Sequence, residues 1–125
     1  MTNIRYINTI HGERQGLRAN VAIEARRLAR FENREADLTT GDDGVVATDR
    51  AVAKGANFRG IQTGVVLLAT DPSGALISVN DPVGMGADGY VVPGTATNFV
   101  GFAASTQTIP SEHISIDLVR DVVLP

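Results

Sequence analysis

The residues best suited to chemistry in this chain are three glycines, a cluster of acids and two histidines. Gly84-x-Gly86-x-x-Gly89 has the spacing of a dinucleotide-binding loop. That chemistry needs a strand before the glycines and a helix after them, because the helix N-terminus holds the pyrophosphate. Here the glycines run into Tyr90-Val91-Val92-Pro93-Gly94, which is β-branched and then stopped by proline. No helix can begin there, so these glycines are expected to shape a loop between strands. Thr40-Gly41-Asp42-Asp43-Gly44, with Asp49 beyond it, resembles a fragment of a calcium loop. An EF-hand loop alternates its oxygen ligands and closes on a glutamate at the twelfth position. Counted from Asp42, alternation fails at Gly44 and Val46, and the twelfth residue is Ala53. Asp and Gly in this order favour a tight reversal instead.

His11 and His113 are the only histidines and stand near opposite ends of the chain. Ser73, Ser78, Ser105, Ser111 and Ser115 all lie outside the Gly-x-Ser-x-Gly pattern of a nucleophile elbow. Carboxylate pairs such as Asp42-Asp43 fall in predicted exposed turns, where the raised pKa of a general acid does not develop. There is no cysteine, which excludes disulfides and thiolate metal sites. The expectation is a protein that is not an enzyme and uses no cofactor and no metal.

The elements that must position these residues are short strands. Thirteen glycines and five prolines accompany only two tyrosines and four phenylalanines, so turns are many and large anchors few. Turn signals recur about every ten residues, the spacing of a sandwich or small barrel. The predicted fold class is mainly β, a small barrel-like or sandwich-like domain.

Between Asn57 and Val123 the chain states one pattern twice. Asn57-Phe58-Arg59-Gly60-Ile61, Pro72-Ser73 and Ile77-Ser78-Val79 are echoed by Asn98-Phe99-Val100-Gly101-Phe102, Pro110-Ser111 and Ile114-Ser115-Ile116. An apolar residue beside a glycine, a Pro-Ser turn and a β-branched strand recur in order. Two pseudo-repeated β units packed as one barrel are expected. Other strands are predicted at Val45-Val46-Ala47, Gly64 to Thr70, Ala75 to Val79, Tyr90-Val91-Val92, Phe99 to Ala103 and His113 to Val119, with Asp121 to Leu124 extending the last. Lys54-Gly55-Ala56-Asn57 and Asp71-Pro72-Ser73-Gly74 read as turns.

The first third of the chain is less decided. Residues 2–20 scatter Ile4, Tyr6, Ile7, Ile10 and Leu17 without a period of 2 or 3.6, and Gly12 and Gly16 break any helix. An extended arm that orders on a partner and a simple first strand with a loop both fit. In residues 21–31 a strand would place Val21, Ile23, Ala25, Ala29 and Phe31 on one face, with Arg27 the exception. A helix would stripe Val21, Ala25, Leu28 and Ala29. Propensity leans towards helix and the β context towards strand. The resulting division is an N-terminal arm over residues 1–20 and a β-rich domain over 21–125.

At 125 residues and 43% hydrophobic, the chain has the size and core of one folded domain and not of a disordered segment. Its longest apolar run, Val65 to Ala69, falls far short of the ~20 residues that span a bilayer. The start lacks the apolar core of a signal peptide, and a soluble protein made in a cytoplasm is expected. Charge is uneven. Residues 1–59 hold ten of the eleven basic side chains and eight acids, a net of +2, while residues 60–125 hold Arg120 and six acids, a net of −5. The two sum to the overall −3. Because the basic residues are interleaved with acids and lack aromatic partners, a nucleic-acid site is not expected.

From Gly60 onward the chain resembles the small capsid decoration, or head cement, proteins of tailed bacteriophages. The residues that carry the resemblance are Gly60-Ile61, Ile77-Ser78-Val79, Asp88-Gly89-Tyr90-Val91-Val92, Val100-Gly101-Phe102-Ala103 and Ile114-Ser115-Ile116-Asp117-Leu118. The match covers residues 57–120; residues 20–56 fit loosely and the arm not at all by letter. The resemblance implies a β-rich homotrimer on the capsid surface of the virion, stabilising the expanded head at three-fold and quasi-three-fold junctions. Its partner would be the major capsid protein. Ile4, Tyr6, Ile7 and Ile10 are the arm's candidate capsid contacts, with Arg14 and Arg18 facing acidic capsid loops. A small-molecule or carbohydrate-binding β module is the alternative, although the chain has no tryptophan and only Tyr6 and Tyr90 to stack on a sugar.

Overall fold

The computed structural model describes residues 13–119. It is built from β1 (Arg14–Ala19), β2 (Leu28–Glu32), β3 (Glu35–Asp37), β4 (Gly44–Ala47), β5 (Asn57–Ile61), β6 (Gly64–Leu68), β7 (Pro82–Met85), β8 (Val91–Pro93), β9 (Phe99–Ala103) and β10 (Ile114–Leu118). A short 3-10 turn, Ala87–Gly89, lies between β7 and β8. The chain is mainly β, as its composition implies.

The first five strands close into a barrel in the order β1-β3-β2-β4-β5. Hairpin β2–β3 turns on Asn33 and Arg34, both with positive φ (52° and 65°). That mirror-image turn matches the twist of paired strands. β1 closes the barrel, running antiparallel to β5 from Arg14↔Ile61 to Arg18↔Asn57 and parallel to β3 at Arg18↔Glu35. The last five strands form a second sheet, β6-β10-β9-β7-β8. Its two edges curl towards each other: the Val91 amide donates to the Ala69 carbonyl (3.0 Å) and the Asp71 amide to the Val91 carbonyl (3.1 Å).

Two cores result. Leu17, Ile23, Ala29, Phe31, Val46 and Phe58 fill the barrel. Val66, Leu68, Val83, Val91, Ile114 and Ile116 cover the inner face of the second sheet, joined there by Leu28, Ala47 and Ile61 from the barrel's outer wall. Strands β2, β4 and β5 are therefore buried on both faces: Leu28-Ala29, Val46-Ala47 and Gly60-Ile61 are adjacent buried pairs. Strands covered on two sides lose the alternation of a half-buried strand.

Several expectations change. Residues 21–31 form no helix; Ala25 and Arg26 make a turn, Ile23 bridges Val52, and only Leu28 onward is strand. β context overrides the helix propensity of Glu24 to Arg30. Arg14–Ala19, grouped with the arm by the sequence pattern, form a barrel strand. Ala75 to Val79 is irregular chain, held by Gln107, whose side-chain carbonyl accepts from the Ile77 amide (3.2 Å). The doubled pattern is split between the sheets: Asn57–Ile61 belongs to the barrel, and Phe99–Ala103 and Ile114–Leu118 to the second sheet. Residues 121–124 lie outside the described residues.

Candidate functional site

β1 and β5 carry the most charged surface of the barrel. Leu17 and Phe58 point inward, so Arg14, Gly16 and Arg18 share the outer face of β1, and Asn57 and Arg59 that of β5. Gly16 sits opposite Arg59. An open groove of about 1040 Å³ runs over this face, walled by Arg34 from the β2–β3 turn and by Asp49 and Arg50 from the chain after β4. Five arginines thus face one acid. Asp49 pairs with Arg14 at 3.6 Å, and Arg14 also donates to the Arg59 carbonyl at 3.5 Å. Arg18, Arg34, Arg50 and Arg59 are exposed and have no ion pair among the described residues.

Such a surface binds anions by charge and by planar, forked hydrogen bonds. Among the described residues its lining holds one carboxylate, Asp49, and one hydroxyl, that of Thr48, which is buried and donates to the Glu24 carbonyl at 2.8 Å. Sequence pattern does not reveal the groove as a whole, although it marks Arg14 and Arg18. Arg34 and Arg50 stand beside acids and Arg59 in an apolar strand, all distant in sequence from Arg14, and only the β1–β5 register and the closing turns unite them. Two arginines four residues apart around a glycine, on one strand face, are the signal that sequence offers.

The remaining candidates fall elsewhere. Ile4, Tyr6, Ile7, Ile10 and His11 lie outside the described residues. Gly84 lies in β7 and Gly86 and Gly89 in the β7–β8 connection, and strand β8, not a helix, succeeds Gly89 (φ 78°). A Cβ at Gly89 would collide with the Leu28 carbonyl, so the turn lies against the start of β2. Arg27 locks that contact. It donates to the Asp88 carbonyl (3.0 Å) and the Tyr90 hydroxyl (3.1 Å), and its guanidinium lies 4.0 Å from the centre of the Tyr90 ring. Gly89 serves the junction between the two halves, while Gly84 and Gly86 make room for Asn98 and Val92.

Asp42 and Asp43 lie in the predicted turn, where Asp43 accepts from the Asn33 amide at 2.9 Å. His113 is exposed at the start of β10, and Ser105 accepts from the Ser115 amide at 3.0 Å. Among the described residues no group of three His, Asp and Glu is placed to hold a metal ion, and no helix is long and apolar enough to cross a membrane.

Fold and groove together define a mainly β protein, barrel joined to curled sheet, with a cationic groove on the barrel face. No family model and no curated protein matches the chain. A solved structure does share its fold: the N base of the head fiber gp8.5 of bacteriophage phi29 is similar over 90% of this chain and 98% of that one, with a TM-score of 0.62 and 21% identity.

Proposed function

We propose that this chain is a non-enzymatic structural protein of a phage virion, seated on the outside of the head. The observation that supports this reading is the shared fold with a phage head fiber base, over 90% of this chain and 98% of that one. The decoration-protein pattern of residues 57–120 points the same way. In its finer form the reading is a homotrimer that binds the major capsid protein and stabilises the expanded head at three-fold and quasi-three-fold junctions. Arg14 and Arg18, with the groove around them, receive an acidic capsid segment, and Ile4, Tyr6, Ile7 and Ile10 add contacts from the preceding arm. Many copies on one shell make modest single contacts strong collectively.

Co-sedimentation with expanded and unexpanded heads of the cognate phage tests the proposal. Binding to expanded heads, with a rise in the temperature at which they rupture, is the expected result. Failure to bind either form overturns it. Deleting residues 2–12 leaves β1 intact, so it should weaken binding while the circular dichroism stays unchanged.

A further inference from the structure

We infer that the arginine groove reads an extended acidic segment with carboxylates at alternate positions, Asp/Glu-x-Asp/Glu-x-Asp/Glu. This rests on the virion reading for its partner, a surface segment of the capsid protein, and adds a sequence rule to it. The argument is one of register. Arg14 and Arg18 project from the same face of β1, and Arg59 projects beside them from β5, opposite the intervening Gly16. At about 3.4 Å per residue, Arg14, Arg59 and Arg18 follow one another along the strand direction in steps of about 7 Å. Side chains on one edge of an extended peptide repeat at the same interval, since every second residue points the same way. Three carboxylates spaced i, i+2, i+4 thus meet three guanidinium groups in turn.

The floor of the groove fits the same occupant. A Cβ built on Gly16 meets nothing within 4 Å, so the middle of the face is open and a backbone can lie there. β5 takes one edge of β1 from Arg14 to Arg18 and β3 takes the other at Arg18 and Ala19; the arginines project from the face between these edges, so the segment docks on that face. Arg34 and Arg50 flank it. Asp49 already neutralises Arg14, which makes Arg59 and Arg18 the stronger readers. Spacing as well as charge selects the ligand.

Fluorescence anisotropy with labelled peptides tests this, using Thr-Glu-Thr-Glu-Thr-Glu-Thr against the isomer Thr-Thr-Glu-Glu-Glu-Thr-Thr. The alternating peptide should bind about tenfold tighter, the equivalent of one charge-assisted bond misplaced in the isomer. Binding should weaken with salt and fall by at least about tenfold in Arg18→Ala and in Arg59→Ala. Gly16→Val keeps every charge and its Cβ meets nothing within 4 Å, so its circular dichroism should match the wild type while alternating-peptide binding is lost. Equal binding of the two peptides, or full binding by Gly16→Val, overturns the inference. Tighter binding of a ten-nucleotide thymidine strand than of the alternating peptide also overturns it. Head co-sedimentation separates the two claims: if wild type and Arg18→Ala/Arg59→Ala bind heads alike, the groove reading falls and the virion reading stands. If the wild type binds no heads, the virion reading falls, and the peptides alone judge the groove.

Discussion

Arg27 shows how much one side chain can decide here. It is only 13% exposed, yet it carries a charge that two donated hydrogen bonds and the face of Tyr90 accommodate. Glu24 at 3.6 Å is largely in water and adds little. The Arg27 Nε is buried without a partner, which offsets part of the gain. Lysine would keep the charge but lose the planar fork and the stack. Arg27→Lys is therefore expected to destabilise by about 1–2 kcal/mol, read from the denaturant midpoint. Glu112 gives a prediction in pH. Its carboxylate accepts from the Thr108 amide (2.6 Å) and hydroxyl (3.0 Å), and more weakly from the Ile109 amide (3.4 Å). These bonds, the Thr108 amide first, hold its pKa below the ordinary 4.5, against a small opposing effect of burial. A carboxyl depressed by folding stabilises the folded state above its unfolded pKa, and that contribution disappears as pH falls through the folded value. Glu112→Gln should lower Tm at neutral pH, and the gap to the wild type should close in acid below about pH 4.5.

At the scale of elements, the two Pro-Ser turns are built differently. Asp71 caps the first by accepting from the Ser73 amide and hydroxyl, both at 2.9 Å. In the second, Ser111 takes a positive φ of 67°, a conformation that costs a side chain about 1–2 kcal/mol. Glycine removes that strain and loses about 0.5–1 kcal/mol to unfolded-chain entropy, so Ser111→Gly should gain a few tenths to about 1 kcal/mol in thermal unfolding. The glycines of the doubled motif are a contrary case. A Cβ at Gly60 would enter the Val46 side chain, and one at Gly101 would strike the Asp117 carbonyl. Each sheet thus needs a glycine where a neighbour comes close, which is why the motif is readable twice although its copies sit in different sheets. β7, Pro82–Met85, reads in the sequence as turn and glycine loop, whereas strands β4, β6 and β8 to β10 are legible because β-branched runs stand between turn residues. β1 and β3 are not. β1 carries Gly16 in its middle, and β3 is three residues long with only Ala36 buried. The groove is legible only at Arg14 and Arg18, because Arg34, Arg50 and Arg59 reach it through register and loop closure that no local pattern encodes.

For the whole molecule, the question is whether the barrel and the second sheet are two folding units or one. Length alone would allow either, since each half is near the lower limit for a stable core. The contacts favour one. Leu28, Ala47 and Ile61 leave the barrel's outer wall to complete the core of the second sheet, and Leu28 is fully buried there. Removing them would expose the second sheet's inner face, and removing that sheet would bare three apolar residues of the barrel. The Arg27–Tyr90 clamp and the hydrogen bond from the Ala69 amide to the Arg26 carbonyl (2.9 Å) tie the same seam with polar groups. Leu28→Ala should therefore cost about 2–5 kcal/mol, as for a buried leucine whose cavity cannot collapse. Unfolding should remain a single transition with an unchanged m-value. Hydrogen exchange gives the sharper measurement: amides of β4 and of β10, which lie in different sheets, should lose the same protection free energy in Leu28→Ala. Loss confined to one sheet, or a second transition in the melt, would show that the halves fold independently. A barrel and sheet that unfold together would carry a load on the groove through the seam into both sheets.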